Sequence, residues 1–255
     1  MSRSQEPRPL SLDDFRHEEL AEVGSTNTEC LERARKGALS GLWITAGRQT
    51  LGRGRRGRAW FSEPGNLYAS LLLIDAAPME RLGSLPLAVA VAVQQAVSRI
   101  LPLGAPEAVI KWPNDILVER RKVCGILIEG ETLADGRHAL AVGIGINVAV
   151  APDAGLYPVA TLRDFGASAA PEELFAHLFQ AMAGTLSLWS RGQGIAAIME
   201  RWKLVAGGIG ENITVNLPDR SISGRFAGID DTGLLKLETD DGGTRLIAAG
   251  DVFFG

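Results

Sequence analysis

The densest chemistry in this sequence is Gly52-Arg53-Gly54-Arg55-Arg56-Gly57-Arg58, where four arginines share seven residues with three glycines. Glycine lets backbone N–H groups come close to an anion. Arginine adds planar cationic forks suited to phosphate or carboxylate. Like charges at this density repel, so the segment is predicted to be mobile until an anion neutralises it and folds it over a site. Closure of that kind excludes water, which matters for a hydrolysable anhydride. A solvated basic loop, or an RNA-binding arginine–glycine segment, has the same composition. A Walker A loop is excluded, because no Gly-Lys-Ser/Thr follows.

Three further groups stand out. Lys111-Trp112-Pro113-Asn114-Asp115 lies between two apolar runs. Proline at a strand end fixes a turn, leaving Lys111 and Asp115 at the neighbouring ends of two strands. There they could take phosphate and Mg²⁺, and a structural salt bridge at a hairpin fits the spacing equally. Lys122 opens the apolar strand 122–129 and, by alternation, shares a face with Cys124 and Ile126. On that pattern a solvated lysine is the plainer reading. Gly143-Ile144-Gly145-Ile146-Asn147 puts glycines inside a strand, where a ligand or another backbone must pack closely. Asn147 could bond that ligand or cap the strand end.

The elements that must position these groups follow from periodicity and turn chemistry. A lead over 1–16 is predicted to be flexible. A strand near 18–23 precedes a helix from Cys30 to Gly37, with capping-box character at Ser25 and Thr28 or at Thr26 and Glu29. Strands are predicted at 42–46 and 66–74, and an irregular loop over 47–65. A helix of small apolar residues runs from Leu85 to Leu101, with Pro86 near its start. Strands follow at 108–111, 115–119, 122–130 and 138–148, then helices at 171–190 and 195–204. After Gly207-Gly208 the texture changes to short strands, ITVNL, SISGRFAGI, LLKLET and TRLIAAGDVFF, the pattern of a small β-barrel. A domain boundary is placed near residue 208.

Composition narrows the function classes. The chain has 255 residues, 46% hydrophobic and 22% charged, with a net charge of -4, so generic nucleic-acid binding is not favoured. Cys30 and Cys124 have no partner motif, so free buried thiols are predicted. His17, His138 and His177 form no ligand set. The polar N-terminus lacks a signal-peptide core, and no apolar run spans a bilayer. A cytoplasmic enzyme is expected, with no membrane partner.

The segments STN (25–27), AGRQTLGRGRRGRAW (46–60), GNLYAS (65–70), IKWPNDILV (110–118), KVCGILIE (122–129) and VGIGINV (142–148), in this order, resemble the biotin protein ligase family. The likeness extends more faintly to GRFAGIDDTGLLKLE (224–238). It implies an α+β fold: an SH2-like mixed-sheet catalytic domain over 17–208, of the class II aminoacyl-tRNA synthetase/biotin synthetase type, and a C-terminal SH3-like β-barrel over 209–255. It implies ATP and biotin as substrates with Mg²⁺, biotinoyl-AMP as intermediate, and a lysine of a biotin carboxyl carrier protein as acceptor.

By the same resemblance, Ser25, Thr26, Asn27 and Gln49 match positions around the ureido head of biotin. Gly52, Arg53, Gly54 and Arg55 match loop residues that touch biotin and its adenylate, and Arg58 a residue that orders the loop. Lys122 matches the lysine beside the biotin carboxylate and α-phosphate. Trp60 matches a residue that covers the adenine, and Asn147 one that lines the adenylate site. Lys111, Asn114 and Asp115 match a turn near the phosphates, with Asp115 as the carboxylate for Mg²⁺. About 20 residues precede the match, too few for the helix-turn-helix domain of some members, so no operator DNA binding is expected. Members occur as monomers and dimers, which leaves a homodimer open. A lipoate or octanoyl ligase or transferase shares the fold and is the nearest rival. An RNA-binding protein and a biotin sensor without chemistry are the others.

Overall fold

The computed structural model describes residues 8–152 and 158–255. The first seven residues of the expected flexible lead lie outside that range. In the rest of it, Leu12–Asp14 form a short 3-10 turn, and Asp14 accepts hydrogen bonds from the Ser11 backbone and hydroxyl at 2.7 and 2.9 Å. Phe15 is buried, edge-on to Trp43 and Phe179. An aromatic anchor of this size fastens the segment to the core.

β1 (Arg16–Val23) and β2 (Leu42–Gln49) pair in parallel, joined by the crossover helix α1 (Thr26–Arg35). β3 (Leu67–Ile74), α2 (Met79–Leu82), α3 (Leu85–Ile100), β4 (Ala108–Lys111), β5 (Asp115–Val118), β6 (Arg121–Thr132) and β7 (His138–Ile146) follow. The sheet order is β1-β2-β3-β7-β6-β5-β4, antiparallel except for the first pair. Cys30, Leu31 and Ala34 of α1 pack on Leu42, Ile44, Leu72 and Ala141 on one face. The other face carries α3, α4 (Pro171–Trp189) and α5 (Ile195–Leu204), whose apolar sides join the main core. Alanine and valine make α3 thin enough to lie buried along most of its length.

β8 (Asn212–Asn216), β9 (Ser221–Ile229), β10 (Leu235–Glu238), β11 (Thr244–Ile247) and β12 (Asp251–Phe254) form an antiparallel sheet ordered β11-β10-β9-β8-β12. The run 244–254 was expected as one strand. It is two, broken around Gly250 and lying at opposite edges of this sheet. Periodicity cannot see such a break, because apolar residues continue across it. Among the described residues no helix is long and apolar enough to cross a membrane, and Cys30 and Cys124 are free and buried.

Candidate active site

The cavity that gathers the expected residues has a volume of about 440 Å³. It lies where the loop after β2, the β4–β5 turn, the middle of β6 and β7, and the start of β12 converge. One end is polar and neutral. Ser25 takes the N-cap position of α1, yet its side chain makes no capping bond, so the expected capping box does not form. Gln49 of β2 replaces it: its Oε1 accepts from the Thr26 backbone at 2.9 Å and from the Thr26 hydroxyl at 3.1 Å. Gln49 Nε2 in turn donates to Ser62 Oγ at 3.1 Å. The first helical N–H is thereby satisfied from outside the helix, and Ser25 is left to line the cavity.

Asn27 lies flat against Gly143, where a Cβ would come within 2.4 Å of its Oδ1. That is one reason for a glycine inside β7. The next, Gly145, stands opposite Gly125 of β6, and the indole of Trp60 rests on this bare patch. A Cβ at Gly145 would meet Trp60 Nε1 at 2.4 Å, and one at Gly125 would meet the ring at 2.8 Å. The close approach predicted for these glycines is therefore made by two side chains of the protein. Asn147, two residues further, is buried and its Nδ2 donates to the Ala160 carbonyl at 3.3 Å.

The other end is cationic. Lys122 does not share a face with Cys124 and Ile126 as simple alternation predicted. The β5–β6 register shifts between Ile116 and Leu117, so that Leu117 pairs with Lys122 while Ile116 pairs with Cys124. This bulge re-aims the lysine, and its side chain lies beside Gly125 with Nζ 5.3 Å from the Trp60 ring centroid. Lys122 Nζ is 2.7 Å from Asp115 Oδ1, which makes the pair an ion bridge at the cavity wall. The β4–β5 hairpin sets Lys111 directly opposite Asp115. Lys111 is 4% exposed. Burial pulls its ammonium down to about 8; Asp115 and Asp251 oppose the fall, while Lys122 and Arg55 deepen it. Asn114 is braced between Arg55, from which its Oδ1 accepts at 2.6 Å, and the Ile126 carbonyl, to which its Nδ2 donates at 2.6 Å.

Every arginine of the glycine–arginine loop meets a carboxylate. Arg53 makes a two-point pair with Glu129 at 3.0 and 2.8 Å. Arg55, Arg56 and Arg58 all reach Asp251 at the start of β12, at 3.4, 2.9 and 2.5 Å, and Arg55 also donates to the Gly250 carbonyl at 2.7 Å. Burial raises the Asp251 carboxyl, but the hydrogen bond and charge of Arg58 with the charges of Arg55 and Arg56 outweigh it, and the net shift is downward. The loop predicted to repel itself is neutralised by acids from two other elements.

Of the expected residues, Gly52 alone does not line the cavity. It sits behind it, where a Cβ would meet Ser62 Oγ at 2.4 Å and the Trp60 carbonyl at 2.8 Å. Sequence reasoning missed Asp251, Glu129, Ser62 and Ser70. Ser70 Oγ lies 2.7 Å from both Thr26 Oγ1 and Asn27 Oδ1. A lone serine in an apolar strand was the available signal for Ser70, and Glu129 ended a quoted motif. Asp251 had none. Among the described residues no three or more histidines, cysteines or acids gather as a metal cage. Asp115, expected to meet Mg²⁺, is engaged by Lys122. This donor set does not suit a resident ion.

Comparison with known proteins matches residues 21–147 to the biotin/lipoate A/B protein ligase family and residues 208–255 to the biotin protein ligase C-terminal domain. A biotin–[acetyl-CoA-carboxylase] ligase of Paracoccus denitrificans is 37% identical over 246 residues, covering 92% of this chain and 99% of that protein. The bifunctional ligase/repressor BirA of Bacillus subtilis is 33% identical, over 89% of this chain and 70% of its own length. A biotin protein ligase from Aquifex aeolicus, solved in complex with biotin and ATP, superposes with a TM-score of 0.77 at 29% identity, covering 94% of this chain and 98% of that one. With the two matched regions in the order of the two sheets, and a relative aligned along nearly its whole length, the chain belongs to the biotin protein ligase family.

Proposed function

We propose that this chain joins biotin to ATP, releasing pyrophosphate, and passes the biotinoyl group from biotinoyl-5′-AMP to a lysine of a biotin carboxyl carrier protein. One observation carries this reading: a single cavity has a neutral hydrogen-bonding end and a cationic end. Thr26, Asn27 and Gln49 supply the donors and acceptors that a cyclic urea requires in a closed pocket. Apolar residues of the neighbouring strands β6 and β7, such as Ile126 and Ile144, supply a wall for the valeryl chain. Lys122, Lys111 and Arg55 then meet the carboxylate and the phosphates. The dithiolane of lipoate would leave the polar end without partners, which disfavours that rival.

In the first step a biotin carboxylate oxygen attacks the α-phosphorus of ATP and the bond to the β-phosphate oxygen breaks. Two anions must approach, and Lys122 and Arg55 screen their repulsion and the charge that develops on the phosphoryl oxygens. Asp115 orients Lys122, and Asn114 orients Arg55. Mg²⁺ enters on the phosphates of the nucleotide substrate. In the second step the neutral amine of the acceptor lysine attacks the acyl carbonyl and AMP leaves. No covalent enzyme intermediate is needed, and positioning supplies much of the rate. Arg53, Gly54 and Arg58 keep the loop over the adenylate, Trp60 and Asn147 flank the nucleotide, and Gly52 lets the loop turn tightly behind Gln49.

We divide the chain at residue 208, reading an SH2-like catalytic unit before it and an SH3-like one after it. The short antiparallel strands β8–β12, with a register shift between β9 and β10, support the latter. Burial pushes the Cys30 and Cys124 thiols up, so both are inert, which suits a reducing cytoplasm. Incubation with biotin, MgATP and a carrier domain, read by intact mass, tests the function. A gain of one biotinoyl group, absent with lipoate, is expected. An unmodified carrier overturns the reading.

A further inference from the structure

Glu129 does not line the cavity, yet two residues that do are bound to it. Its Oε2 accepts from Asn27 Nδ2 at 2.8 Å, and the same carboxylate takes Nε and a terminal nitrogen of Arg53 at 3.0 and 2.8 Å. Asn27 is buried, and its amide is gripped at both ends. Nδ2 also faces the Leu127 carbonyl at 3.3 Å, while Oδ1 faces Ser70 Oγ at 2.7 Å. Gly143 holds it from one side. An ionised carboxylate can only accept. With the Leu127 carbonyl, which also only accepts, it therefore holds Nδ2 outward and fixes which end of the Asn27 amide is presented to the pocket. A glutamine here could meet Nδ2 only through its own Oε1 and would lose the charge that pairs with Arg53.

We propose that Glu129 is the positioning residue of the head-group pocket: by fixing the Asn27 amide and pinning Arg53 beside it, this carboxylate sets the donor–acceptor pattern that recognises the cyclic urea of biotin. The inference rests on the functional reading above. An exposed arginine–carboxylate pair by itself contributes little. Here a third hydrogen bond, from a buried amide, ties the pair to the cavity. The adjacent pair on the same strand, Glu131 with Arg35 at 2.7 and 2.5 Å, has no such tie and serves as an internal control.

The experiment compares the full chain with Glu129→Gln and Glu131→Gln in biotin-dependent ATP–pyrophosphate exchange, with thermal melting of each. For Glu129→Gln the KM for biotin should rise about tenfold or more, the effect of losing one hydrogen bond to a charged group. Its melting temperature should stay close to that of the parent, and the rise in the KM for biotin should exceed any change in the KM for ATP or in kcat. Glu131→Gln should match the parent throughout. A biotin KM in Glu129→Gln equal to that of Glu131→Gln overturns the proposal. So does a fall in kcat with equal rises in both KM values and a lowered melting temperature, which marks a merely structural pair. An unmutated chain with no exchange overturns the functional reading itself, a result distinct from either.

Discussion

Lys111 and Lys122 serve one cavity but are held differently. Lys122 is paired with Asp115 at 2.7 Å. Lys111 is buried, and burial draws it down to about 8 against the partial support of Asp115 and Asp251. Its folded value lies below that of the unfolded chain. Between the two values the unfolded state binds more protons, so the burial penalty of this residue is relieved as pH rises. Binding of phosphate has the opposite demand, since it needs the charge. The KM for ATP should therefore climb as pH passes about 8, and Lys111→Arg, which stays protonated, should flatten that rise. An ATP KM independent of pH between 7 and about 9 would remove Lys111 from the phosphate site. Lys122→Ala should slow adenylate formation by the equivalent of about 2.7–4 kcal/mol, the effect of removing one preorganised charge from a transition state. Single-turnover pyrophosphate exchange measures it, and a near-parent rate would refute the role.

Elements place these residues through small irregularities. The bulge in β6 turns Lys122 from the core face to the cavity face. The cross-strand pair Gly125 and Gly145 opens a bare patch for the Trp60 ring. The arginine loop takes its shape from β12, because Asp251 receives three of its guanidinium groups. Asp251→Asn should loosen that loop, since one neutral amide cannot offset three cations. Tryptic cleavage within 51–60 should accelerate, as expected for a segment whose local opening free energy has dropped. Unchanged cleavage kinetics in the variant would mean that the loop is held by other contacts.

At the scale of the molecule the two sheets share one core. Ile213, Val215, Phe226, Leu235 and Val252 belong to the same buried cluster as Leu87, Ile110 and Trp112. Trp112 Nε1 donates to the Gly233 carbonyl at 3.1 Å, and Lys111 lies under Phe253 and Phe254 at 5.8 and 5.9 Å. A shared apolar core couples unfolding across both units. Calorimetry of the full chain should give one cooperative transition, and removal of residues 209–255 should abolish adenylation because it removes Asp251 and the wall behind Lys111. Two independent transitions, or an active truncated chain, would show that the units are energetically separate.

The linear sequence determined the local chemistry and most of the elements. Helix periodicity placed α3, α4 and α5, and the glycines and arginines singled out the loop that lines the cavity, since composition and spacing act over a few residues. The nearest partners of those groups were not legible. Capping of α1 by Gln49, the burial of Phe15 and the meeting of Asp251 with Arg55, Arg56 and Arg58 join residues far apart in the chain, while the bulge at Lys122 and the break before β12 depend on how strands pair. Tertiary structure decided them, because ion pairing and close packing depend on distance in space, which local pattern does not encode.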